Sequence, residues 1–172
     1  MGEITSGAPT RTANPFNGPV EIGLRALVIL TEAYPELYSL QRLTVFDYLV
    51  VHSDDLPGGP TGLHPKTPHR SGELLVRRRV VERGLLLYQS RSLVERVFVK
   101  EGVYYRATEW SAAFLDVLET RYAADLRERS NWLIRSFGGM SEAELQALVD
   151  RHLGEWGAEF ELESVLWTDE TP

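Results

Sequence analysis

Hydrophobic residues recur at helical spacing through the first fifty positions of the chain. The pattern predicts a first helix from Pro19 to Tyr34-Pro35, because proline suits the first turn of a helix and interrupts it later. It predicts a second helix that Ser39 caps and that ends near His52, with Asp47 on the side away from the apolar face.

Farther along, the spacing changes from helical to alternating. A third helix is predicted from about Ser71 to Leu87, and two shorter helices that meet at Gly84 are the alternative, since glycine weakens a helix. Strands are predicted at Leu93–Val99 and Val103–Ala107, joined by a turn at Lys100–Gly102 in which Gly102 can take positive φ. Three helices followed by a hairpin form the outline of a winged helix-turn-helix.

Helical spacing returns after the hairpin, where an apolar stripe that includes Trp110, Ala113, Phe114 and Val117 is predicted to be a core face. One uninterrupted helix is predicted from Thr108 to Phe137, ended by Gly138-Gly139, and its last turns around Trp132 are expected to extend past the domain onto a second copy or another subunit. Ser141 and Glu144 then have the spacing of a capping box at the start of a last, short helix.

These elements define a fold class and a division of the chain. We predict a mainly α fold with a small β-hairpin, in which a winged helix-turn-helix core is followed by a long C-terminal helix and a short helix. Residues 1–14 are predicted to be a disordered N-terminal tail, and residues 15–108 a winged-helix domain. Residues 109–172 are predicted to form a C-terminal helical extension that ends in an acidic, aromatic tail.

Composition places the chain among globular proteins. It has 172 residues, 43% of them hydrophobic, and no cysteine, so disulfides and thiolate chemistry are excluded. The N-terminal residues lack the apolar core of a signal peptide, and no run reaches the roughly 18 apolar residues of a membrane span. We therefore expect a cytoplasmic protein with no membrane association.

Positive charge is concentrated in one stretch of an acidic chain. Residues 70–106 carry nine basic and four acidic residues, which leaves −12 for the rest of a chain of formal charge −7. Such a face is suited to a phosphate backbone or an acidic protein. The predicted DNA- or partner-binding residues are Arg70, Arg77, Arg78, Arg79, Arg83, Arg96 and Lys100.

Two considerations limit this interpretation. Consecutive helical residues point about 100° apart, so Arg77, Arg78 and Arg79 cannot all face one way. The alternative is a solvated helix face on which Glu73 and Glu82 pair with the arginines. Specific reading of DNA bases is not favoured, because the helix carries few of the polar side chains that contact base edges.

The acidic C-terminal tail is a second candidate contact region. Its carboxylates are interleaved with large apolar residues, a composition typical of a segment that docks onto its own domain or a partner. Trp156, Phe160 and Trp167 are the residues predicted to make this contact.

Catalytic and metal-binding motifs are not evident in the sequence. His52, Asp54, Asp55, His64 and His69 match no established ligand spacing, and no nucleophile elbow or phosphate-binding glycine loop is present. We therefore expect no catalytic residue, no metal and no cofactor, and we expect that the protein is not an enzyme.

Four segments together resemble a known family. They are Asn14–Asn17, Glu21–Leu27, His64–Arg78 and Tyr104–Thr108, within a similarity that spans about residues 14–160. The chain resembles the middle component, type 2, of bacterial ABC-three-component systems.

The resemblance implies a non-catalytic accessory subunit related to winged-helix proteins. Its implied partners are an SMC/Rad50-like ABC ATPase and a separate effector subunit, in Lamassu-type systems that defend bacteria against phages and plasmids, with duplex DNA contacted through the complex. The rival hypothesis is a free-standing winged-helix transcription regulator that dimerises through the long helix and binds DNA by itself.

Overall fold

The computed structural model describes residues 17–65 and 73–153 and contains helices interrupted by one small sheet. In chain order the elements are α1 (Pro19–Glu32), β1 (Tyr38–Ser39), α2 (Leu40–Val51), a 3₁₀ turn (Ser53–Asp55), α3 (Glu73–Ser90), β2 (Val94–Val99), β3 (Gly102–Ala107), α4 (Ser111–Asp116), α5 (Arg121–Phe137) and α6 (Glu142–Leu153). The prediction of a mainly α fold with a small β-hairpin is confirmed. Within the described ranges, no helix combines the length and apolar character needed to cross a membrane.

Local signals place the starts of α1, α2 and α6 where the sequence predicts them. α1 begins at Pro19, and the Ser39 hydroxyl accepts a hydrogen bond from the Arg42 amide at the start of α2. Before α6, the Glu144 amide donates to the Ser141 hydroxyl (3.1 Å) and the Ser141 amide donates to the Glu144 carboxylate (2.7 Å). This reciprocal pair is the predicted capping box, and it satisfies two amides that the helix leaves unpaired.

The hairpin forms an antiparallel sheet with one more strand than predicted. β2 pairs with β3 in a register that runs from Val94 opposite Ala107 to Val99 opposite Gly102, and Gly102 has φ of +137°. The additional strand, β1, pairs with the other edge of β3, so the strand order is β1-β3-β2. Two residues are too short for an alternating pattern, so β1 leaves no signal in the sequence.

α3 is one continuous helix, and the alternative of two pieces is not observed. Gly84 lies in its middle because α1 and α3 approach each other closely there. A Cβ on Gly84 would lie 2.6 Å from the Cα of Gly23 in α1, closer than side-chain contacts allow. The glycine therefore serves helix packing, which outweighs its poor helix propensity.

The prediction of one helix from Thr108 to Phe137 is wrong. α4 ends at Asp116, and α5 begins only after Thr120, which has extended backbone angles (φ −75°, ψ 150°). The Thr120 hydroxyl accepts a hydrogen bond from the Ala123 amide and so caps a new helix. An apolar stripe that continues across this position hides the break, since threonine is tolerated both inside a helix and at its cap.

α5 packs into the same core as the first three helices. Leu126 and Leu133 of α5 are fully buried there, together with Leu145 of α6. Trp132 and Phe137 also pack against this core, with their ring centroids 5.5 Å apart, so the expectation that these turns extend past the domain is wrong. The apolar face of α5 is used internally.

Candidate functional site

The three consecutive arginines of α3 point in different directions, as expected. The Arg77 side chain is only 5% exposed, Arg78 is half-buried, and Arg79 is exposed. Arg79 is therefore free to meet a partner, whereas Arg77 is directed into the interior.

Arg77 ends at a buried carboxylate that the sequence analysis assigned to the wrong side of its helix. Asp47 of α2 is fully buried, and it accepts hydrogen bonds from Arg77 and from Arg25 of α1. The Arg25 guanidinium binds it through two nitrogens, with N–O distances of 2.6 and 3.0 Å. A carboxylate in the interior needs such compensation, so Asp47 faces the arginines rather than solvent.

The electrostatics of Asp47 follow from this cluster. Burial by itself would raise the pKa of Asp47, but the positive charges of Arg25 and Arg77 and their hydrogen bonds hold this pKa below its usual value. Asp47 is thus ionised at neutral pH and connects α1, α2 and α3. Arg77 therefore has a structural position and is not part of the exposed face of α3.

The exposed face of α3 combines arginines with bare apolar side chains. Val76, Arg79, Arg83 and Leu86 follow one another at intervals of three, four and three residues, which places them on one side of the helix. All four are exposed; Val76 retains 65% and Leu86 50% of its surface. The two arginines were predicted as contact residues but Val76 and Leu86 were not, although the helical spacing of all four residues is visible in the sequence.

The hairpin adds the same kind of residues. Arg96 and Lys100 are exposed, and the Arg96 guanidinium lies 5.1 Å from the ring centre of Phe98. Phe98 is 70% exposed and lies opposite Val103 in the register. Cation–π contact keeps an arginine next to an aromatic ring without removing its charge.

Two charged residues of α3, Glu82 and Arg78, lie near the sheet. The pKa of Tyr105 in β3 is raised by burial and by the charge of Glu82 in α3, and it is lowered to a smaller extent by Arg96 and Arg78. Side chains of α3 and of the sheet therefore share one neighbourhood. We name the combined region the α3–hairpin surface; it consists of Val76, Arg78, Arg79, Arg83, Leu86, Arg96, Phe98 and Lys100.

Four predicted contact residues lie outside the described part of the chain. They are Arg70, before α3, and Trp156, Phe160 and Trp167, after α6. Their predicted roles remain predictions. Of the seven predicted basic residues, Arg79, Arg83, Arg96 and Lys100 are exposed, Arg78 is half-buried and Arg77 is buried.

The histidines of the loop after α2 lie in a separate, polar cluster. His64 Nε2 is 3.2 Å from the Tyr122 hydroxyl of α5, and His52 is buried beside the Tyr48 ring. Burial and the positive charge of Arg25 lower the pKa of His64 to about 4, so its imidazole is neutral at pH 7. The Tyr48 hydroxyl also donates to Asp55.

The residues of this cluster are among those whose spacing was compared with metal-binding motifs in the sequence. Among the residues that the structure describes, no three His, Cys, Asp or Glu side chains are placed to hold a metal ion together. His69 lies outside those residues. The described side chains instead make contacts that join the loop to α2 and α5.

Comparison with known proteins identifies the family. Comparison with functionally curated proteins and with solved structures gives no match. The family model described as ABC-three component (ABC-3C) system Middle Component 2 matches residues 15–159, which is most of the chain and all of the described elements from α1 to α6. The chain therefore belongs to the Middle Component 2 family of ABC-three component systems.

Proposed function

We propose that this protein is a non-catalytic accessory subunit that joins an SMC/Rad50-like ABC ATPase to an effector subunit in a Lamassu-type defence system. The family supports an accessory role within a system of several components. The α3–hairpin surface is the proposed contact for one of these partners. The order of three helices followed by a hairpin supports the winged-helix interpretation of this region.

The observation that carries the proposal is the mixed chemistry of the α3–hairpin surface. Val76 and Leu86 are at least half exposed on the same face of α3 as Arg79 and Arg83, and Phe98 is 70% exposed beside Arg96 in the hairpin. Phosphate groups need cations and hydrogen-bond donors, whereas exposed apolar groups gain free energy only when another apolar surface covers them. The surface is therefore better suited to an acidic protein with apolar groups than to the DNA backbone alone.

The rival hypothesis of an autonomous regulator loses its dimerisation element. It relied on one long helix after the hairpin, but α4 and α5 are separate and Leu126 and Leu133 of α5 lie in the protein's own core. The net charge of −7 also opposes binding of DNA by this chain alone.

Binding of the tagged protein to its system's ATPase and effector subunits, with and without nuclease, tests the proposal. Arg79→Glu and Arg83→Glu should each weaken binding of one subunit at least about tenfold, since each reverses a charge facing an acidic partner. Arg135→Glu makes the same charge change at an exposed position of α5 and should have little effect.

A neutral substitution separates protein from DNA as the partner. Phe98→Ser changes no charge, so it should weaken protein binding and leave binding of short duplex DNA unaltered. Loss of the complex on nuclease treatment, together with full protein binding by both arginine variants, would contradict the proposal. Deletion of residues 156–167 should weaken association if the predicted tail contact is made.

A further inference from the structure

A second exposed apolar face lies on α4 and shares no residue with the α3–hairpin surface. Trp110, Ala113, Phe114 and Val117 are all exposed, and they are separated by three, one and three residues. Trp110 and Val117 flank α4 with helical backbone angles, so the i, i+3, i+4, i+7 geometry holds over the whole set. We name these four residues the α4 stripe.

The α4 stripe is not the side of the helix that the fold uses. Ser111 and Leu115 point into the core, with exposures of 0% and 2%, about 120° around the helix from the stripe. Trp110 is 63%, Val117 71% and Phe114 37% exposed, and the ring centroid of Phe114 lies 6.3 Å from that of Tyr88. The sequence analysis took these residues for the core face of a longer helix, and the break at Thr120 leaves them outside.

The surroundings of the stripe are acidic. Residues 107–120 contain Glu109, Asp116 and Glu119 and no lysine or arginine. Arg106 borders a cavity together with Trp110 and Glu109, but its charge is compensated by an ion pair with Glu95. Arg127 of α5 bridges Asp116 at 2.9 Å, while Glu109 and Glu119 are exposed at the two ends of the stripe. A partner complementary to the α4 stripe would present an apolar groove bordered by basic side chains.

Charge also argues against a second copy as the occupant. In a symmetric dimer the same patch lies on both subunits, so the carboxylates would face each other. A largely exposed tryptophan on an apolar helix face, as Trp110 is here, is typical of an anchor that inserts into a pocket of a different protein.

We infer that the α4 stripe docks into a basic-rimmed apolar groove on a second subunit of the same system, different from the subunit held by the α3–hairpin surface. This inference rests on the proposed function and deepens it. One basic and one acidic apolar face give the chain two chemically distinct contacts, which a bridging subunit requires.

A crossed pair of valine substitutions tests the inference. Val117 and Val76 have nearly equal exposure, 71% and 65%, and belong to the α4 stripe and the α3–hairpin surface respectively. The affinity of each full-length variant for the separately purified ATPase and effector subunits is measured by calorimetry. Val117→Ser should weaken binding of one subunit about tenfold and leave the other unchanged, and Val76→Ser should do the reverse. Trp110→Ser should weaken the same subunit as Val117→Ser, by about 30-fold or more.

The outcomes separate the inference from the proposed function. If wild-type protein binds neither subunit, the proposed function itself is refuted. If it binds them but Val117→Ser and Trp110→Ser bind as wild type, or weaken the same subunit as Val76→Ser, only the inference is overturned. It is overturned too if Trp110→Ser abolishes self-association in ultracentrifugation, which would assign the stripe to a second copy. The inference is also overturned if deletion of residues 2–14 raises the hydrogen exchange of residues 109–118, because the chain's own N-terminal segment would then cover the α4 stripe.

Discussion

Replacing Asp47 by asparagine is the most direct test of how the first three helices are held together. The change keeps the shape of the side chain and removes its charge, so any effect comes from electrostatics rather than from a cavity. It leaves the fully buried Arg25 and the nearly buried Arg77 without the carboxylate that both guanidinium groups contact.

The expected cost is large for a protein of this size. Removing one partner of a buried ion pair costs about 3–5 kcal/mol, because the remaining charge is left in a medium that solvates it poorly. Typical domains have only about 5–15 kcal/mol of stability in total. For a chain of this length, we expect the melting temperature of Asp47→Asn to fall by roughly 6–20 °C.

Urea denaturation followed by circular dichroism at pH 7 measures this loss. Asp150→Asn, the same chemical change at an exposed position of α6, should alter stability by less than about 0.5 kcal/mol. Arg77→Met should cost less than Asp47→Asn, because Asp47 then keeps both of its contacts to Arg25. An Asp47→Asn variant within about 1 kcal/mol of wild type would refute the reasoning.

The pH dependence provides an independent check. Because the pKa of Asp47 is lower in the folded state than in the unfolded state, its contribution is fully present above the unfolded value of about 3.9 and is lost as the pH falls through the folded value. The stability difference between wild type and Asp47→Asn should therefore shrink in acid. Because Arg77 also binds Asp47, reversal of its charge should lower the melting temperature along with any binding.

Three further predictions concern other parts of the fold. Gly84→Ala should destabilise the protein by about 1–3 kcal/mol in urea titrations although alanine favours helices, whereas Gly139→Ala, which has open space around it, should be nearly neutral; a stabilised Gly84→Ala would contradict the close packing of α1 and α3. Because the pKa of His64 is lowered to about 4 in the folded state, the unfolded chain takes up the proton first, and the protein should lose about 1–3 kcal/mol of stability as the pH falls from 6.5 to 4. An equally steep loss in His64→Gln would assign the effect to other groups. Thr120→Ala should lower the melting temperature by the equivalent of about 1 kcal/mol through loss of the α5 cap, while Thr120→Ser should retain most of the stability; equal losses in both would contradict the capping role.

Much of the secondary structure was predictable because its causes are local. Ser39 and the Ser141–Glu144 pair satisfy backbone amides within three residues, and Gly102 meets the demand of one turn. The break before Thr120 was missed because a single hydroxyl decides it within an otherwise continuous stripe. The strand β1 was missed because it exists only through its pairing with β3.

The candidate surfaces were predictable in part. Charge counting found the basic segment, and Arg79 and Arg83 are exposed where the helical spacing predicts. Charge counting did not identify Arg77 as a core residue, and hydrophobic spacing placed Trp110 and Val117 on a core face although both are exposed. A hydrophobic stripe shows that one face is apolar, but it does not show whether the fold covers that face.

The sequence by itself determined the helix caps, the hairpin turn, the concentration of positive charge and the membership of the Middle Component 2 family, because each depends on residue types at short, fixed spacings. Tertiary structure decided which of three adjacent arginines turns inward and which apolar stripe stays exposed. The inward arginine is the one whose helix position faces Asp47, thirty residues earlier in the chain. The α4 stripe stays exposed because Ser111 and Leu115, on the other side of α4, are the residues that pack into the core. Both outcomes depend on where distant helices pack, since burial and compensation of charge are properties of the assembled interior.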